Sequence, residues 1–170
     1  MHSPCREAPK LLKYSMPIRS ELVPVRSINL NDDPQVVQML QQVPLFSALS
    51  KKQLKSLVEN SAERKYSPDE VIENEGDMGV TFYLILNGSV EVRKGKKKLA
   101  KLDRGQFFGE MALIDKQPRS ATVVALEPTS CMLTTAWNFR GFLDSEPKMA
   151  LALLREMARR LRETNQSLSE

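Results

Sequence analysis

Apolar positions fall into three regimes along the chain. Val36, Val37, Met39 and Leu40, and then Leu54, Leu57 and Val58 with lysines between them, recur at helical spacing. The first set predicts a short helix over 34–42, with Asp33 as its cap and Pro34 at its first position, where proline loses no helical hydrogen bond. Pro44-Leu45-Phe46 breaks that helix, and Ser50 caps a second over roughly 50–62. From Arg64 to Leu133 the texture changes to short apolar or alternating runs: Val71-Ile72, Phe82 to Leu86, Val90 to Val92, Leu99 to Leu102, Ala121 to Leu126 and Cys131 to Leu133. Glycines punctuate them, which predicts a closed or double-sheet β unit rather than alternating strands and helices. After it, Trp137 to Leu143 forms a short helical segment, and Pro147 opens a long helix running to about Ser167.

Within that last helix Leu151, Leu154, Ala158, Leu161, Asn165 and Leu168 step by three and four, a heptad seam. Two packings satisfy it: a second copy of the chain, with Asn165 setting the register, or the helix folding back on its own β unit. The whole divides into an N-terminal extension (1–33), which contains four prolines and no sustained period, a β-roll with leading helices (34–146), and a C-terminal capping or dimerisation helix (147–170).

Composition narrows the function classes. With 170 residues, 41% hydrophobic and 27% charged, the chain buries an ordinary globular core. No stretch approaches the roughly 18–20 apolar residues of a membrane span, and the start has no signal-peptide core, so a cytoplasmic location is expected. Cys5 and Cys131 are the only cysteines, too few for a disulfide framework or a thiolate zinc cluster. His2 is the only histidine, which argues against metal-dependent jelly-roll enzymes and against an enzyme generally. The net charge of +4 decides nothing about partners. The basic tip Arg93-Lys94-Gly95-Lys96-Lys97-Lys98 has two readings, a solvated turn that blunts strand edges or a contact for nucleic acid or anionic lipid, the latter disfavoured because no aromatics interleave. Phe82, Tyr83, Phe107, Phe108, Phe139 and Phe142 are expected in the core, Trp137 where the last helices join the β unit, and Arg155, Arg159, Arg160 and Arg162 on the solvent face beside the seam.

Chemistry concentrates in Phe107-Phe108-Gly109-Glu110-Met111-Ala112-Leu113-Ile114, followed by Pro118-Arg119-Ser120-Ala121-Thr122-Val123. Gly109 allows close backbone approach and starts a helical turn whose free N–H groups favour an anion. Arg119 adds a permanent positive fork suited to a phosphate, and Ser120 and the Ala121 N–H add donors without charge. Glu110 accepts a hydrogen bond from a sugar hydroxyl and is expected to help fix Arg119. Each residue alone has a plainer reading as a surface ion pair, a turn or a helix start, and it is the combination that points to one phosphate and one ribose.

FGEMALIDKQPRSATV resembles the phosphate-binding cassette of the cyclic-nucleotide-binding domain family. VIENEGDMGVTFYLILNGSVEV resembles that family's early strands and glycine corner, and VPLFSALSKKQLKSLVE its leading helices, so the similarity spans about residues 34–168. The resemblance implies a mainly β fold with flanking helices, a double-stranded β-helix or jelly-roll-like β-roll, holding cyclic AMP or cyclic GMP without catalysis and without a metal. It implies that Glu110 takes the ribose 2′-hydroxyl, that Gly109 and Ala112 give backbone contacts within a stretch that includes Met111, and that Arg119, Ser120 and Ala121 hold the cyclic phosphate. Met157 to Thr164 is similar to the long helix of the catabolite-activator branch, which places Thr164 on the adenine amino group; Asn165 stands where that branch has a serine from the other subunit.

Two departures qualify the likeness. That branch continues into a helix-turn-helix, whereas this sequence stops at Glu170, so a DNA-binding role is not expected of it. The 1–33 extension resembles nothing in the family. Ligand choice is weakly encoded: in the kinase branch alanine after the cassette arginine goes with cyclic AMP and threonine with cyclic GMP, while Ser120 and Thr164 match the bacterial, cyclic-AMP pattern. The expected function is a cyclic-nucleotide sensor that signals by movement of its C-terminal helix; the alternative is a nucleotide-independent dimerisation or interaction scaffold that keeps the fold, and the effector partner is open.

Overall fold

The apolar run Phe82 to Leu86 sets the architecture, because a strand buries consecutive side chains only when both of its faces are covered. The computed structural model, which describes the backbone of residues 34–168 and the side chains of 36–166, covers both. The extension 1–33, with His2, Cys5 and the expected Asp33 cap, lies outside the described residues.

Eight strands form two antiparallel four-stranded sheets. One has the order β1 (Ser61–Tyr66), β8 (Thr129–Thr135), β3 (Thr81–Asn87), β6 (Phe107–Phe108); the other runs β2 (Val71–Glu73), β7 (Thr122–Ala125), β4 (Ser89–Lys94), β5 (Lys97–Asp103). Between the sheets lies one core, built from Tyr83 and Ile85 of β3 with Tyr66, Phe108, Val123 and Cys131. Phe82 and Leu84, one step out of phase, face the other way with Phe107 and Met132 and meet the helices. This is the mainly β roll with flanking helices that the sequence predicts.

The helical layer comprises α1 (Pro34–Gln42), a 3-10 turn (Pro44–Phe46), α2 (Lys51–Glu59), the short α3 (Glu110–Asp115), α4 (Ala136–Ser145) and α5 (Pro147–Leu168). Ser50 and Gln53 form a reciprocal cap on α2: the Gln53 N–H donates to Ser50 Oγ at 3.3 Å and the Ser50 N–H to Gln53 Oε1 at 2.7 Å. The helix ends before the expected residue 62 because the chain enters β1, a strand not assigned from sequence, which pairs with β8 from Ser61↔Thr134 to Tyr66↔Thr129.

Trp137 is 85% exposed, contrary to expectation. It sits two residues before Phe139, which is fully buried and stacks on Phe82 with ring centroids 4.4 Å apart, and residues two apart on a helix point to different sides. α5 returns to the protein through Met149 and Leu153, both buried. The seam residues Leu151, Leu154, Ala158 and Leu161 face outward instead, while the Leu168 side chain lies outside the described residues. No helix among the described residues is long and apolar enough to cross a membrane.

Candidate ligand-binding site

Two chain segments meet at one end of the roll: the glycine corner between β2 and β3, and the stretch from β6 through α3 to β7. Their backbones are tied in both directions, with the Gly76 N–H donating to the Arg119 carbonyl at 2.9 Å and the Arg119 N–H to the Asp77 carbonyl at 2.8 Å. This pins Arg119 opposite the corner. A β-carbon at Gly79 would collide with the guanidinium, so the absent side chain there is what lets Arg119 turn inward.

Arg119 is 5% exposed. Its Nε and Nη2 donate to the two carboxylate oxygens of Glu73 at 3.0 and 2.9 Å, Nη2 also donates to the Thr81 carbonyl at 2.7 Å, and Nη1 to the Gly109 carbonyl at 2.6 Å. The Tyr83 hydroxyl donates to Glu73 as well; burial and this bond together push the Tyr83 pKa upward, so the ring stays a neutral donor.

Glu110 opens α3 behind Gly109, whose φ of 87° turns the chain. A β-carbon on Gly109 would lie 2.8 Å from both Arg119 Nη1 and the Thr81 carbonyl oxygen, so this position requires glycine twice over, for its dihedral and for the close approach. Glu110 is 3% exposed and accepts from Arg160 Nη1 at 3.2 Å. Burial raises its pKa, opposed in the first place by the positive charge of Arg160. Arg160 in turn donates from Nη2 to the Phe107 carbonyl at 2.8 Å and from Nε to Glu156 at 2.8 Å, and its guanidinium lies 4.7 Å from the Phe107 ring centroid.

The structure thus buries Glu110, Ala112 and Arg119, and ties Arg119 to the half-buried Gly109 through its carbonyl. Met111 and Ser120 are exposed, Ala121 is half-buried, and Thr164 is exposed on α5 with its hydroxyl donating to the Arg160 carbonyl at 2.9 Å. Two expectations are corrected. Glu110 is not the carboxylate that fixes Arg119; Glu73 is, because β2 pairs with β7 and brings its last residue beside the strand that follows Arg119. Arg160 is not on the solvent face: it continues the inward stripe of Met149, Leu153 and Met157 and reaches the roll. That stripe was a usable signal for Arg160; nothing in the local sequence marks Glu73, whose role exists only through strand pairing.

Among the described residues no group of three or more histidine, cysteine, aspartate or glutamate side chains is placed to hold a metal ion. The constellation is one of two guanidinium–carboxylate pairs, Arg119–Glu73 and Arg160–Glu110, at the mouth of a β-roll.

Comparison with known proteins gives the class. The family model of the cyclic nucleotide-binding domain matches residues 63–146. A cAMP-dependent protein kinase regulatory subunit from Mycosarcoma maydis is 38% identical over 96 residues, 54% of this chain and 18% of that protein. The crystal structure of the Thermus thermophilus catabolite activator protein superposes with a TM-score of 0.66 at 32% identity, over 74% of this chain and 62% of the other. The N-terminal domain of a transcriptional regulator from Streptomyces coelicolor A3(2) is also 32% identical, with a TM-score of 0.59, and 94% of it is covered by 76% of this chain. The chain belongs to the cyclic nucleotide-binding domain family. It spans between 10% and 60% of the length of the curated relatives it matches.

Proposed function

We propose that the protein is a cyclic-nucleotide sensor, with cyclic AMP as its ligand in preference to cyclic GMP, and that it signals by movement of α5. The observation that carries this reading is the Glu110–Arg160 bond at 3.2 Å, which joins the carboxylate suited to a ribose hydroxyl directly to the C-terminal helix. A ribose hydroxyl donating to Glu110 changes what Arg160 is held by, so the helix position and the occupancy of the roll are coupled in both directions. Arg119, with Ser120 and the Ala121 N–H, supplies the phosphate contacts, and Gly109, Met111 and Ala112 the wall beside the sugar. Thr164, one turn beyond Arg160, takes the base when α5 closes.

The outward stripe Leu151, Leu154, Ala158 and Leu161 supports a homodimer through α5, the surface through which helix movement would reach an effector. A nucleotide-independent scaffold would use the same stripe and leave the roll idle. Titration calorimetry of nucleotide-free protein with cyclic AMP and cyclic GMP separates the two. The wild type binds, cyclic AMP more tightly; Arg119→Ala loses roughly a hundredfold, since a buried phosphate loses a charged donor, and Arg119→Lys, which keeps the charge without the fork, falls between. Equal affinity in all three proteins overturns the reading.

A further inference from the structure

We infer that Glu73 is an internal competitor for the ligand's phosphate, an anion of the protein's own seated on the fork of Arg119; this rests on the cyclic-nucleotide reading above. A guanidinium has five N–H donors, and four of those on Arg119 are engaged by protein acceptors: two by Glu73, one by Thr81 and one by Gly109. The edge formed by Nε and Nη2, the one that matches two phosphate oxygens side by side, is the edge that Glu73 occupies at 3.0 and 2.9 Å. Arg119 cannot swing to offer another edge, because Gly79 lies against one side of it, the Tyr83 ring stands 5.9 Å away, and its backbone is tied to the corner at Asp77.

Glu73 is itself well held, by the guanidinium and by the Tyr83 hydroxyl, with its side chain 13% exposed. A cyclic phosphate arriving at Arg119 therefore meets a carboxylate already in the place it needs, and two anions cannot share one fork without strong repulsion. Binding requires Glu73 to give up its bonds and turn toward solvent. The residue sets the ligand concentration at which the site responds, and it discriminates against every anion that fails to outcompete a carboxylate.

The sign of one substitution tests this. Glu73→Gln keeps the shape but cannot accept from both Arg119 nitrogens, and Glu73→Ala removes the competitor altogether. With cyclic AMP as the probe in the calorimeter, both variants bind at least tenfold more tightly than wild type, and adding Arg119→Met to either abolishes the gain. A residue that merely props Arg119 in place gives the opposite sign. Equal or weaker binding by both variants, with the wild type binding, overturns the inference and leaves the sensor reading intact; no binding by any of the proteins overturns both. A melting curve on each variant verifies that the roll is folded, and a loss of fold in Glu73→Ala leaves Glu73→Gln to decide.

Discussion

At the scale of single residues, the protein places polar atoms inside the roll and satisfies nearly all of them. The exception is Tyr66, whose buried hydroxyl has no partner among the described residues. Burial pushes its pKa upward, so it stays neutral, and a neutral hydroxyl without a hydrogen bond costs stability. Tyr66→Phe is expected to stabilise the protein by about 1 kcal/mol and to raise the midpoint of thermal unfolding by roughly 3 °C. An unchanged or lower midpoint would mean that the hydroxyl does find a partner in solution. Cys131, in the same core, has its thiol pushed up to about 12 by burial and behaves as a small apolar side chain. The cassette residues were legible at this scale because Gly109, Glu110 and Arg119 stand at fixed spacing in a contiguous stretch; Glu73 was not, since its partner is 46 positions away and only the sheet brings them together.

At the scale of elements, α5 shows what periodicity reveals and what it hides. Its outward seam was visible as steps of three and four, and so was the existence of a long helix opened by Pro147. The inward stripe ends in Arg160, and a pattern search tuned to apolar residues stops one step short of it. β1 was invisible for a related reason: it carries Ala62 and Tyr66 among charged residues, burial of its side chains is slight until Tyr66, and its strand state comes from the ladder to β8. Along α5 Glu156 accepts from Arg159 and Arg160, and these bonds, with Arg159 foremost, hold its pKa below the usual carboxylate range. A carboxylate with a depressed folded-state pKa contributes stability that is present above its unfolded value and lost as the pH falls through the depressed one. Glu156→Gln should accordingly be less stable than wild type by about 0.5–1 kcal/mol at neutral pH, with the two denaturation curves converging in acid. A difference that persists at low pH would assign the effect to packing rather than charge.

At the scale of the whole molecule, one sheet is shared by two cores. Phe82, Phe107 and Met132 point to the helices while Tyr83, Phe108 and Cys131 point into the roll, so the helical layer and the roll are covered by alternate residues of the same strands. Phe139 fastens α4 to this sheet, and Phe139→Ala should cost about 3–5 kcal/mol in denaturant unfolding. The transition should stay single for circular dichroism and for tyrosine fluorescence, because the helices have no sheet of their own and the roll shares one of its two sheets with them; two separated transitions would show that the roll stands without its helices. The neighbours Phe107 and Phe108 have a further consequence. They are anchored in opposite cores, each about 5% exposed or less, and a strand can slip only by whole residues, which would exchange them between the two. The strand leading into the cassette is in effect a keyed joint with a single seating. Within the cassette, the freedom to rearrange lies downstream of that joint, where Ile114 to Pro118 are exposed and Lys116 already sits at a φ of 59°.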